Sequence, residues 1–522
     1  MVSLPVVRRL DRLARWGVIG AVVTFVGLVA IWMLAVPLFW PFDENGHVAY
    51  GMALMHGRLP EAGERLRIAF PGLGQQGRHL LVGNHPPLYY TISGPLEWLG
   101  KRSGHPLDFL LLTRAVNAAM TAVNVVLVAR LASLVVPRGT PKVRASLVVV
   151  AAGLTATIPS LVGASGSIYN DSLALVLATT ALLLLARAVR TGMTTRSVLL
   201  LALVAMLGML TRIAFAPVFA TVAGGVLLLT LWPGLRRRRP ARRDLGVGLL
   251  RSAVVVAAVL AGSGWFYYLN WQRYGDLTGG SVLYRLVDER PYAPGAAQGM
   301  WHYATRPDTI WSQLLQVGGL PHRFLSHPRE LVVVLAAIIL SALAVAAAVT
   351  LVRLVRRSWL LDGAGRWIVA GLLLILLAAY VELADHVAHK GGANNRYLLT
   401  GLVGWSIGVG LLLLAVRWRG IPLLAIVMIG CCALGSVAYT WRFTRRQPEL
   451  HDLRWWDVLV GGMREVGVPA APVVLVALLA VVGLGVVLQV ASLVAIGRAD
   501  SGAALAGDEP AHDESPAVGA VK

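Results

Sequence analysis

The sequence predicts an all-α integral membrane protein of about twelve transmembrane helices, with amphipathic helices in its first extracytoplasmic loop. Three observations carry this. Of the 522 residues, 57% are hydrophobic and only 14% charged, and mean hydropathy is +0.69, more apolar surface than a water-soluble chain can hide. Apolar runs of about 20 residues, the length that crosses a hydrocarbon core, recur along the chain. The arginines fall between those runs in alternation.

The runs lie at 17–40, 109–136, 145–163, 168–189, 248–270, 329–352, 366–384, 397–416, 420–440 and 471–496. The stretch 197–232 is too long for one span and breaks at "TRIAFAP" (211–217), so it reads as two, one of them short. With the basic N-terminus inside, the even-numbered loops read "PRGTPKVR", "RAVRTGMTTR", "RRRRPARR", "RLVRRSWLLDGAGR" and "RWR". All then fall on the cytoplasmic side, as the positive-inside rule requires, and a missed span would break the pattern downstream.

The organisation that follows is a cytoplasmic basic N-terminus (1–16), a polytopic membrane domain (17–496) and a disordered cytoplasmic tail (497–522). The large outer loops are 41–108 and 271–328. The chain is predicted to sit in a bacterial plasma membrane with both termini cytoplasmic. The first run is too long for a signal-peptide core and lacks a clean cleavage site. A formal charge of +21 could suggest nucleic acid, but the basic residues cluster between apolar runs and form no soluble basic domain. Cys431 and Cys432 are adjacent within an apolar run, so they read as packing residues and not as a disulfide or zinc site.

Candidate chemistry gathers at the outer boundary. "PFDENGHVAY" (41–50) places Asp43 and Glu44 where the first span ends. In a helix over 43–56, Asp43, His47 and Tyr50 share a face and Glu44 points about 100° away, while "VAYGMALM" supplies an apolar side that could lie on the membrane. A charged stop in solvent is the plainer reading. In "NHPPLYY" (84–90), His85 precedes two prolines that can open a short amphipathic helix over 88–98, either presenting the imidazole or merely making a rigid turn. Asn170 and Asp171 in "SIYNDSLA" read first as a helix N-cap.

Arg212 and Arg396 stand at outer span ends against the charge trend; a cation at that depth has an anionic ligand or a partner such as Asp171, Asp43 or Glu382. Lipid phosphate suits a guanidinium. Tyr397 adjoins Arg396. "VELADHVAHKGG" (381–392) offers the i, i+4 pairs Glu382/His386 and Asp385/His389, with Lys390 as a further phosphate ligand. With Asp43, the residues Glu382, His386 and His389 are the weak candidates for holding a metal, since no known zinc signature is present. "NWQRYGDLTGG" (270–280) reads as an interfacial belt running into a turn.

In order along the chain, "DENGHVAYGMALMHGRLP", "HPPLYY", "NDSLA", "NWQRYGD" and "NRYLL" resemble the GT-C superfamily of polytopic glycosyltransferases. Protein O-mannosyltransferases and aminoarabinose and arabinofuranosyl transferases belong to it, and the likeness is to an actinobacterial-type branch. The set spans about residues 40–400. Asn45 after the acidic pair and Thr400 after "NRYLL" depart from the pattern, and no sizeable soluble C-terminal domain follows.

The resemblance implies a polyprenyl-phosphate-linked sugar donor and an acceptor that is an envelope glycan, lipid or protein, with membrane lipid around the chain and no nucleic acid. It implies a catalytic aspartate in the first extracytoplasmic loop, which is Asp43, with Glu44 beside it, acting as general base in an inverting displacement. Arg396 and Arg212 would receive the leaving phosphate, with Lys390 and His85 in reserve and His47 tuning Asp43 or binding acceptor. Participation of a divalent cation, Mg or Mn, stays open because metal dependence varies among relatives. Two rivals are a polytopic lipid or solute transporter and an O-antigen-ligase-type transferase using a lipid diphosphate.

Overall fold

The computed structural model describes residues 4–41, 43–66, 70, 79–137, 140–236, 242–288, 300, 305, 361–388, 395–417 and 419–499. Within them the fold is helical throughout, joined by short turns and one isolated bridge between Arg65 and His79. Nine helices are long and apolar enough to cross a membrane, a bent pair makes a tenth span, and Thr195–Met209 is a shorter apolar helix. The expected split of 197–232 is present, as Thr195–Met209 and Ala216–Arg236 on either side of a one-turn break at Ile213–Phe215. The span expected over 329–352 lies outside the described residues, as do most of 271–328 and the tail from residue 500.

Helix α1 (Leu4–Ala35) is 32 residues long, so the basic N-terminal segment is the first turns of the span and not a separate piece. Two shorter helices follow, α2 (Glu44–Met55) and α3 (Tyr90–Ser103). Next come α4 (Pro106–Val135), α5 (Pro141–Thr157) and α6 (Pro159–Ser165), the last two bent by 62° at Pro159. That bend follows from the proline, which cannot continue the hydrogen-bond ladder of α5. The bundle continues through α7 (Asp171–Thr191), α8 (Thr195–Met209), α9 (Ala216–Arg236), α10 (Arg242–Tyr274) and α11 (Gly280–Asp288). It closes with α12 (Gly363–Ala388), α13 (Leu402–Ala415), α14 (Leu423–Thr444), α15 (Trp455–Glu465) and α16 (Ala471–Arg498).

The first and last spans pack most intimately. Gly20 and Gly485 face each other so closely that a Cβ on Gly20 would sit 2.7 Å from the Gly485 carbonyl oxygen, and the Gln489 amide donates to Thr24 Oγ1 at 2.9 Å. Small residues let helix backbones approach where no water drives them together.

Polar contacts sort the loops onto two ends. At one end Arg144 meets Asp11 at 3.0 Å, Arg190 pairs with Asp362 and donates to the Leu134 carbonyl at 2.8 Å, and Ser492 reaches the Leu13 carbonyl at 2.5 Å. The other end carries α2, α3 and the candidate residues. Arg144 and Arg190, from two of the arginine-bearing loops, thus lie at the end of the bundle away from Asp43.

Two local expectations are corrected. Asp43 is not within a helix on the face of His47 and Tyr50; it precedes α2 in the left-handed region at φ 68°, so its side chain leaves in a different direction. Nor is α2 a free apolar face. Eight of its residues are buried, Glu44, His47 and Tyr50 among them, because α3 covers it. The contact is close enough that a Cβ on Gly94 would meet the Gly51 carbonyl oxygen at 2.9 Å.

Candidate active site

The turn after α1 places the two adjacent carboxylates in different environments. Glu44, first residue of α2, points inward and is fully buried. Arg114 of α4, also fully buried, grips it with Nε–Oε1 at 2.8 Å and Nη2–Oε2 at 2.7 Å. The Phe39 and Ile168 amides donate to the same carboxylate at 2.7 and 2.9 Å. Arg114 spends its remaining donors on the carbonyls of Met33, Val36 and Pro37. Every strong site on both ions is matched, which is what a buried pair requires. Glu44 therefore fastens the C-terminus of α1 to α4 and to the turn before α7, and offers no open face to a substrate.

Asp43 turns the other way. Its side chain is 26% exposed, and Oδ2 lies 3.2 Å from Arg396 Nη2. An aspartate tolerates positive φ better than most side chains, yet such outliers gather at functional sites. Arg396 stands in the short 3₁₀ helix Asn395–Gly401 ahead of α13. Its Nε is 3.6 Å from Asp171 Oδ2, and its guanidinium lies 4.5 Å over the Tyr169 ring. Asp171, opening α7, pairs through its other oxygen with Arg212, which is itself buried in the break between α8 and α9. The result is an alternating row, Asp43, Arg396, Asp171, Arg212, drawn from four separate parts of the chain.

A neutral polar layer backs this row. Tyr90 Oη lies 2.9 Å from His47 Nδ1 and stacks on Tyr50 with ring centroids 3.7 Å apart. Tyr50 donates to the His85 carbonyl at 2.9 Å. Asn170 stands at the N-cap position of α7, but its side chain makes no cap bond there. Its amide donates to the Thr211 carbonyl and to His85 Nδ1, both at 3.1 Å. Accepting there puts the His85 proton on Nε2, and Tyr90 Oη lies 3.4 Å from the same Nδ1. Burial, then Arg212 and Arg396, hold the His85 imidazole well below its ordinary value. For His47 burial is again the main cause, joined by His85 and the same two arginines. Both rings are thus neutral at pH 7. Among the described residues, His47 Nε2, Asn170 Oδ1 and Arg212 Nε are buried polar atoms with no hydrogen-bond partner; natural proteins leave few of these, and a ligand can satisfy them.

The structure brings together Asp43, His47, His85, Asn170, Asp171, Arg212 and Arg396. Tyr397 joins them, its ring 6.0 Å from the Arg396 guanidinium and 4.4 Å from that of His386. Glu382 is on α12 one turn before His386. Lys390 and His389 lie outside the described residues. Among the described residues no three His, Cys, Asp or Glu side chains gather as a metal would need. Beside Asp43 the positive charge among the described residues comes from the Arg396 guanidinium.

Sequence reasoning missed Arg114, although a cation inside the apolar run 109–136 was the available signal. It also missed Tyr90, Tyr169 and Asn117. The last crosslinks the layer, donating to Tyr89 Oη at 2.9 Å and to the carbonyls of Ser167 and Tyr169. "NWQRYGDLTGG" is a clasp on the first outer segment: Asn270 donates to the Asn84 carbonyl at 3.1 Å and Asn84 to that of Thr278 at 2.7 Å. Ser281 and Thr278 donate to Asp276 and hold its carboxyl well below the usual range despite partial burial. Beside Arg396 a narrow cleft opens, lined by Trp32, Ser160, Gly163, Tyr169, Tyr439 and Phe443.

Fold and site together define a polytopic helical membrane protein with a charged, partly open centre at one end of its bundle. No family model and no curated protein sequence matches the chain. Among solved structures it is similar to ArnT from Cupriavidus metallidurans bound to undecaprenyl phosphate. Identity there is 12%, the match covers 95% of this chain and 79% of that one, and the TM-score is 0.45. It is also similar to the archaeal oligosaccharyltransferase AglB from Archaeoglobus fulgidus in complex with an inhibitory peptide and a dolichol-phosphate, at 12% identity, 91% and 56% coverage and TM-score 0.38.

Proposed function

We propose that this protein is a membrane glycosyltransferase that moves a sugar from a polyprenyl-phosphate donor to an extracytoplasmic acceptor of the cell envelope, with Asp43 as general base. The observation that carries the reading is the row Asp43, Arg396, Asp171, Arg212. A partly exposed carboxylate is held beside a guanidinium that a phosphate would also claim.

The chemistry divides between the two charges. Asp43 takes the proton of the acceptor hydroxyl as its oxygen attacks the anomeric carbon. The bond from that carbon to the phosphate oxygen breaks on the opposite face, so configuration inverts, and the electron pair leaves with the phosphate. Arg396 and Arg212 meet that charge with forked hydrogen bonds. In this reading donor phosphate displaces Asp43 from Arg396, so the base is released only when the donor is seated. Glu44 has a positioning role through Arg114. His47 and His85 stay neutral and act as donors, not bases. The lipid chain enters between helices, beside the aromatic cleft of Trp32, Tyr439 and Phe443.

The test incubates purified protein with a panel of radiolabelled polyprenyl-phosphate sugars and envelope acceptors, comparing the wild type with Asp43→Asn. Transfer by the wild type, lost in the variant, supports the assignment. Undiminished transfer by Asp43→Asn removes Asp43 as base, and movement of lipid or solute without transfer replaces the reading with a transporter.

A further inference from the structure

At the end of the bundle away from Asp43, α1, α4, α5 and α7 line a cleft of about 990 Å³, and two of its apolar wall residues, Ile19 and Val126, are exposed on the helix surface. Five arginines line it, against one carboxylate, Asp11. Two are committed, Arg144 to Asp11 and Arg190 to Asp362. The other three, Arg15 on α1, Arg130 on α4 and Arg187 on α7, are exposed, and none has an ion pair among the described residues.

Below this rim the walls turn apolar. Val18, Ile19, Val22 and Val23 of α1 and Val126 of α4 line the remainder. At 1.5 Å per helical residue, Arg15 and Val22 are separated by roughly 10 Å along the axis, and Arg130 and Val126 by roughly 6 Å. The cleft thus carries uncompensated positive charge at the level where a span leaves the hydrocarbon core, and a greasy slot running into that core. α1 and α7 form its two sides, while α4 and α5 close the back, packing on α1 and, for α4, on α7 as well.

We infer that this cleft is a binding site for a two-chain anionic phospholipid of the surrounding leaflet, whose phosphate is held by Arg15, Arg130 and Arg187 and whose acyl chains lie in the valine-lined slot. Charge decides the headgroup. Three guanidiniums without counter-ions gain from a net negative ligand, and a zwitterionic headgroup brings its own cation into the same space. The exposed Ile19 and Val126 on two membrane-spanning helices decide the source, because a lipid can reach an apolar wall of that kind from the bilayer without leaving it. The site lies at the far end of the bundle from the row around Asp43, so it does not depend on the reaction proposed above.

The experiment reconstitutes the full chain in vesicles of equal dioleoyl-phosphatidylglycerol and dioleoyl-phosphatidylcholine. It is released into mild detergent and retained lipid is counted by native mass spectrometry. The expected result is at least about tenfold preference for the anionic lipid. The preference should vanish in Arg15→Gln/Arg130→Gln/Arg187→Gln and persist in Arg8→Gln/Arg9→Gln, which removes charge from the same end outside the cleft. Equal retention of the two headgroups, equal loss in both variants, or displacement of the phospholipid by a single-chain polyprenyl phosphate would overturn the inference. Should the triple variant fail to fold, the headgroup comparison on the wild type still decides.

Discussion

Asp43 and Arg396 are 353 positions apart in the chain, yet their side chains meet at 3.2 Å. The contact joins the turn after the first span to the start of α13, and Asp171 and Arg212 extend it with two further pieces of chain. Like charges are kept apart by opposite ones along the row. The pair at its open end is the one a substrate can divide.

Asp43→Asn keeps the side chain's shape and removes its charge. Turnover should fall by roughly 10²–10⁴-fold, the range of a positioned general base, while thermal stability in detergent changes little because the residue is partly exposed. A radiolabel transfer assay beside a melting curve reads both.

Arg396→Lys retains one charge but loses the fork that reaches both Asp43 and Asp171. Transfer should drop by about a hundredfold, the order for losing one preorganised donor to the leaving group. Donor affinity, measured with the unreactive lipid phosphate, should weaken as well. Unchanged donor binding would show that Arg396 serves the fold and not the phosphate.

Glu44→Gln tests the division of labour between the neighbouring carboxylates. It leaves Arg114 buried without its counter-ion, which costs about 3–5 kcal/mol, so the melting temperature and yield should fall. Glu44→Gln/Arg114→Met should recover part of that loss. A catalytic role for Glu44 predicts the reverse pattern, a stable protein that has lost turnover.

Gly51→Ala should destabilise by about 1–3 kcal/mol through overpacking. The new methyl would lie 2.1 Å from Glu97 Oε2. Glu97 is fully buried, and burial raises its carboxyl well above the usual range, with Glu44 adding to the effect and Ser93 opposing it. Glu97→Ala should restore the stability of Gly51→Ala, as melting of the double variant would show.

Stability should also fall on acidification. His47 and His85 have depressed values in the folded chain, so below the unfolded value of about 6.5 the unfolded state binds more protons. Their contribution is complete above that pH and is lost as pH drops, by at most about 1.4 kcal/mol per unit for each ring. Melting temperatures at pH 7.5 and 5.0 should differ less in His47→Gln than in the wild type.

The membrane class and the positions of the described spans were legible in the sequence. They depend on summed hydropathy and charge, which act over whole segments and survive any detail of packing. So was the gathering of Asp43, His85, Asp171, Arg212 and Arg396 at one boundary, since alternating spans return every second loop to the same end. What each side chain does there was decided only by the tertiary structure. Asp43 and Glu44 are neighbours in sequence, and one left-handed residue turns one to the open row and the other to Arg114. Asn170 does stand at the cap position of α7, but its side chain spans to His85 and Thr211 instead of capping the helix. Such assignments rest on contacts a few ångströms long between residues tens to hundreds of positions apart, and no local pattern encodes them.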